Sequence, residues 1–110
     1  MKASPIPSGS EPSRIEIDAL EVPAIVEFGA SWCGYCRAAE PLIAQVLANH
    51  PQLAHIKIED GPGRSLGRSF RVKLWPTLVF MHRGKEVARL VRPGDAREIE
   101  RTLAQFPATV

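Results

Sequence analysis

Two cysteines stand three positions apart in Trp32-Cys33-Gly34-Tyr35-Cys36, and the chain has no others. They follow the apolar run Ala24-Ile25-Val26-Glu27-Phe28 and precede a segment with helical periodicity. A C-x-x-C at such a strand-to-helix junction puts one sulfur at a helix N-terminus and the other one turn inside. The first sulfur then faces unpaired backbone amides and the positive end of the helix dipole, and both favour thiolate over thiol. That arrangement suits reversible dithiol–disulfide exchange. It also dictates a strand, a tight turn and a helix around which the rest of the chain must pack.

With 110 residues, the chain fits one domain. Hydrophobic residues make up 45%, enough for a core that needs no disulfide staple. A net charge of +2, from 14 basic and 12 acidic residues, gives no reason to invoke nucleic acid or an anionic membrane. No apolar run approaches the roughly 18 residues of a membrane span. Met1 to Ser13 holds Pro5, Pro7, Ser8, Gly9, Ser10, Glu11 and Pro12 and lacks the apolar stretch of about 7–15 residues that a secretory signal requires. It reads as a disordered lead-in over residues 1–13, ahead of a single domain over residues 14–110. A start without a signal favours the cytoplasm, where a close cysteine pair is more often catalytic or metal-binding than structural. Structural zinc takes four ligands, and only His50, His55 and His82 remain, none at ligand spacing. Neither metal nor cofactor is expected, and the histidines receive no catalytic role.

Arg14 to Asp18 alternates Ile15 and Ile17 with polar neighbours and reads as a short edge strand. Ala24 to Gly29 reads as a buried strand bounded by Pro23. A helix follows from Cys33 to Asn49, with Leu42, Ile43, Val46 and Leu47 on its apolar face and a kink expected at Pro41. Leu53 to Glu59 is a strand, Asp60-Gly61-Pro62-Gly63 a turn, and Arg64 to Phe70 a short helix. Pro76 to His82 and Lys85 to Val91 form an antiparallel hairpin about Arg83-Gly84. Asp95 caps a last helix with Glu98 three residues on, and Ile99, Leu103 and Phe106 mark its buried stripe. The first strand-helix-strand unit implies a parallel pair with a right-handed crossover. The hairpin adds antiparallel strands, so an α/β fold follows, with a mixed sheet covered by helices on both faces.

The run Val26-Glu27-Phe28-Gly29-Ala30-Ser31-Trp32-Cys33-Gly34-Tyr35-Cys36-Arg37 resembles the thioredoxin superfamily. So do Pro41, Trp75-Pro76-Thr77-Leu78, the Gly84 turn and Gly94. W-C-G-x-C followed by a P-T-L strand start is a specific combination, and the resemblance runs from near Val22 to Phe106. It implies the thioredoxin fold, a central sheet of four or five strands, with Pro76 in the cis form facing the cysteines. Three departures stand out. Tyr35 replaces the usual proline between the cysteines, bulky Trp75 precedes Pro76, and the region ahead of the central strand is short and interrupted by Pro23.

Within this resemblance Cys33 is the attacking sulfur and Cys36 the more buried, less acidic resolving thiol. Glu27 is the candidate base, since thioredoxins carry Asp and protein disulfide isomerases Glu at the matching place. The alternative is a Glu27 that points to solvent or pairs with His55 or Lys57. Trp32 either walls the site or is a core aromatic. Gly34, Tyr35, Trp75 and Pro76 complete the substrate-binding set, with Trp75-Pro76 as a shelf against which an extended substrate pairs. Arg64, Arg68, Arg71 and Lys73 form a basic cluster, read either as a solvated face or as a site for acidic groups. The leading expectation is a monomeric protein-disulfide reductase, recharged by an external reductant such as a thioredoxin reductase or glutathione. A protein disulfide oxidase or isomerase, and a non-enzymatic binding module, are the alternatives.

Overall fold

A computed structural model describes residues 11–107. Most of the lead-in expected over residues 1–13 lies outside them. The order is α1 (Arg14–Asp18), β1 (Ala24–Gly29), α2 (Gly34–Leu47), β2 (Ala54–Glu59), α3 (Ser65–Ser69), β3 (Thr77–His82), β4 (Lys85–Val91) and α4 (Ala96–Leu103).

The first element corrects the sequence reading: Arg14–Asp18 is a helix, not an edge strand. Its cause is a capping box. The Ser13 hydroxyl accepts from the Glu16 N–H at 3.1 Å, and the Ser13 N–H donates to Glu16 Oε1 at 2.9 Å. Alternation over five residues is too short to outweigh that cap. Ile17 is fully buried and Ile15 is not. Arg14 ties α1 down: its Nε donates to Asp18, its Nη1 donates to the Ser69 carbonyl at 2.8 Å, and its guanidinium lies 3.7 Å from the Phe70 ring centroid.

The sheet therefore has four strands, in the order β2-β1-β3-β4. β1 runs parallel to β2 and antiparallel to β3, and β3 and β4 form the expected hairpin. β1 sits centrally and is buried along its whole length, which explains its near-continuous apolar sequence. Side chains alternate across it. Val26 and Phe28 join Ile17, Ile56, Ile58, Leu66, Phe70, Val79 and Met81 in one core. Ile25 joins Ile43, Val46, Leu78, Phe80, Ile99 and Leu103 on the opposite face, beneath α2 and α4. Glu27 and Gly29 fall on that second face, which carries α2 and its cysteine.

α2 runs through Pro41, whose ring sits on the exposed side. α4 starts at Asp95, whose Oδ1 accepts from the Glu98 N–H at 3.0 Å. The Glu98 carboxylate reaches back to the Gly94 N–H at 2.8 Å, one residue earlier than a standard capping box uses. No helix among the described residues is long and apolar enough to cross a membrane.

Candidate active site

Cys33 is the N-cap of α2, with extended backbone (φ −83°, ψ 121°). Its sulfur accepts from the Cys36 N–H at 3.3 Å. A thiolate is the better acceptor for that amide, so the cap rewards ionisation of Cys33. Both sulfurs are free thiols. Cys33 is 6% exposed and Cys36 4%, so the first is only marginally more open than the second. Sequence reasoning placed Cys36 inside and left Cys33 accessible. The packing instead encloses both in a small cluster with Ala30, against which Trp75 lies.

The two thiols differ in acidity. Burial pushes Cys33 up, but hydrogen bonds from the Cys36 thiol and from the Cys36 and Tyr35 amides, with the Arg92 charge, outweigh it and hold its pKa below the ordinary 9.0. Cys36 is pushed up to about 11 by burial, then by donating to Cys33 and by the nearby Cys33 and Glu27 charges. Cys33 is thus the more easily ionised of the two sulfurs.

Gly29, at the end of β1, makes room for this pair. A Cβ there would lie 2.7 Å from the Cys36 sulfur. The sequence marks Gly29 as the end of a strand and as part of the run that carries the resemblance, and gives it no packing role.

Glu27 is 1% exposed, which removes the solvent-facing alternative. The other alternative, pairing with His55, is present: Oε1 meets His55 Nε2 at 2.7 Å, while Oε2 is buried with no hydrogen-bond partner among the described residues. Buried carboxylate oxygens are seldom left unpaired, because desolvating them is costly. A cleft of about 520 Å³ opens beside this pair, lined by Ile43, Leu47, Leu53, His55 and Lys57 among others. Lys57 Nζ reaches Glu40 Oε1 at 3.0 Å on its rim. His50 pairs with Glu100 at 2.8 Å, away from the sulfurs. No group of three or more metal-ligating side chains occurs among the described residues.

The Trp75–Pro76 bond is cis, as the resemblance implied. The Trp75 indole N–H donates to Asp60 Oδ2 at 2.9 Å, which fixes the ring against the cysteine cluster. Trp32 packs edge-on to it at 5.4 Å between centroids. Trp32 is 70% exposed, so it is not a core aromatic. Tyr35 and Gly34 are also exposed. Arg64, Arg68, Arg71 and Lys73 are all exposed and form no ion pair among the described residues.

Arg92 was missed. Its Nε donates to the Trp75 carbonyl at 2.8 Å, and its guanidinium covers the Tyr35 ring at 3.8 Å. The sequence signal available was its place beside Pro93-Gly94, but only the return of β4 alongside β3 brings it next to Pro76.

Comparison with known proteins agrees with this geometry. The family model for thioredoxin matches residues 14–105. The structure of thioredoxin 2 from Pseudomonas aeruginosa PAO1 in its reduced form superposes with a TM-score of 0.78, at 54% identity over 94% of each chain. Thioredoxin H-type 1 of Nicotiana tabacum is 34% identical over 88 residues, 78% of this chain and 69% of that protein. Thioredoxin C-3 of Corynebacterium nephridii is 33% identical over 89 residues, 81% of this chain and 61% of that protein. With a cysteine pair split in acidity, set on the matching four-stranded sheet, the chain belongs to the thioredoxin family of thiol–disulfide oxidoreductases.

Proposed function

We propose that the protein reduces protein disulfides, with Cys33 attacking and Cys36 resolving. The Cys33 thiolate displaces one sulfur of the substrate disulfide, which leaves as a thiolate and takes a proton from solvent. Glu27 removes the Cys36 proton, and the Cys36 sulfur attacks Cys33 and expels the second substrate sulfur, which takes the proton from Glu27. The substrate gains two electrons and two protons, and the protein is left with a Cys33–Cys36 disulfide. An external reductant, a thioredoxin reductase or glutathione, returns the two electrons. Trp32, Gly34, Tyr35, Trp75 and Pro76 form the surface on which the substrate lies. One backbone acceptor there, the Trp75 carbonyl, already receives Arg92, so a paired substrate strand uses its second lone pair. The protein acts as a monomer in a reducing compartment such as the cytoplasm.

The observation carrying this reading is the opposed acidity of the two sulfurs. Insulin reduction with dithiothreitol tests it: turnover is expected, and Cys33→Ser abolishes it. Absence of turnover above background leaves a binding module.

One observation favours a second reading, a disulfide oxidase or isomerase. Tyr35 and Arg92 both help hold the Cys33 thiolate, and stabilising the reduced form makes a dithiol pair more oxidising. The reduction potential separates the two. A value near about −270 mV supports the reductase, and one between about −180 and −120 mV the alternative.

A further inference from the structure

Arg92 is the one cation among the described residues that touches the aromatic ring between the cysteines. Its backbone has a φ of 50°, a conformation uncommon outside glycine. Its N–H donates to the Pro76 carbonyl at 3.0 Å and its Nε to the Trp75 carbonyl at 2.8 Å. The main-chain bond to Pro76 anchors the backbone of Arg92, and the guanidinium is held by the Trp75 carbonyl and by the Tyr35 face. Its charge reaches the reacting sulfur, since it contributes to the lowered pKa of Cys33. Arg92 nevertheless forms no ion pair among the described residues, and its side chain is exposed. Among the described residues only Nε of its five N–H donors is engaged, so the outward fork of the guanidinium stays available.

We propose that Arg92 is a specificity-determining residue: its Nη donors receive the carboxylate of an Asp or Glu that neighbours the disulfide of a docked protein substrate. The inference rests on the reading of the site as one that exchanges protein disulfides. A planar fork held in place matches a carboxylate bidentately and loses little side-chain entropy when it binds. The surroundings sharpen the preference. Trp32, Tyr35, Leu74 and Val91 are exposed apolar or aromatic side chains next to the site or its supporting strands, so Arg92 offers its charge among apolar and aromatic contacts. A substrate that buries an apolar segment there and leaves Arg92 unanswered loses its hydration without compensation, whereas an acidic neighbour supplies the partner. Arg64, Arg68, Arg71 and Lys73 lack comparable anchors to the site and add at most a diffuse field.

The test uses the full chain, dithiothreitol as reductant, and two cyclic peptide disulfides that differ only in Asp or Asn beside one cysteine. At low ionic strength kcat/KM for the Asp peptide is expected to exceed that for the Asn peptide by about threefold to fivefold, the upper range for an exposed charge pair. The ratio falls to about one in Arg92→Gln and on raising salt, and Arg92→Glu turns the preference toward a Lys-bearing peptide. Taking the ratio cancels any change in Cys33 reactivity that the variants cause. Turnover of both peptides with the same ratio in wild type and Arg92→Gln overturns the role of Arg92 alone. No turnover of either peptide overturns the reading of function, and this inference with it.

Discussion

Gly29→Ala adds one methyl group at the tightest point of the site. The new Cβ would sit 2.7 Å from the Cys36 sulfur and 3.6 Å from its Cβ, where ordinary contacts begin at 3.4 Å. The sulfur must retreat by at least about 0.7 Å, the gap between those two limits. β1 cannot give way, because it is hydrogen-bonded on both sides and buried throughout. Cys36 must rotate instead, and a helix leaves χ1 few alternatives. Overpacking of this kind costs about 1–3 kcal/mol, offset by about 0.4–1 kcal/mol for the stiffer unfolded chain, a net loss of at most about 2.6 kcal/mol. Function suffers more. A displacement near 1 Å from attack geometry costs up to about 100-fold in rate, so decay of the mixed disulfide should slow by about 10- to 100-fold. Urea denaturation reads the stability, and rapid-quench trapping of the mixed disulfide reads the rate. Gly34→Ala is the control for stability alone, since nothing lies within 4 Å of its added Cβ. If Gly29→Ala unfolds at the wild-type midpoint and resolves its mixed disulfide at the wild-type rate, the packing of β1 against Cys36 has been misread.

Three further predictions concern the same sulfurs. Cys36→Ser should accumulate a stable mixed disulfide through Cys33, visible as a reducible mass increase equal to the substrate; rapid release from this variant would refute the order of attack. Alkylation of Cys33 should reach half its maximal rate at a pH below 9.0, while Cys36 responds only toward about 11. The linkage signs are opposite. Cys33 is lowered, so its contribution to stability is present above 9.0 and lost as pH falls through its folded value; Cys36 is raised, so its contribution is present below 9.0 and lost as pH climbs toward about 11. Comparing the pH dependence of urea unfolding in the two single Cys→Ser variants checks both signs. Finally, Glu27→Leu removes the buried carboxylate and leaves His55 without its partner, and is expected to slow release of the second substrate thiol. A variant with faster release than wild type removes Glu27 as the base.

Much of this architecture could be read from residue order because it rests on local rules. The apolar run Ala24–Phe28, the Arg83-Gly84 turn between two β-rich segments and the Asp95 cap each act within a few residues. The strand ending at Gly29 and the helix beginning at Gly34 leave only a tight junction for Cys33. The segment Arg14–Asp18 is decided on equally local grounds, since the Ser13–Glu16 capping box outweighs the alternation of two isoleucines. The chemistry of the cysteine pair was legible for the same reason: helix end, amides and sulfur belong to one stretch of chain.

What residue order left open was every contact made across the sheet. The strand order β2-β1-β3-β4 lays His55 beside Glu27, and the return of β4 along β3 carries Arg92 to Tyr35 and to the Trp75 carbonyl. Trp75 meets Asp60 across the loops that follow α3 and β2. No periodicity or cap encodes these meetings, because they arise when separate elements bury their apolar faces together. The near-equal enclosure of Cys33 and Cys36 has the same origin: sulfur exposure is set by what packs over the helix end, and Trp75 and Ala30 arrive there from other parts of the chain.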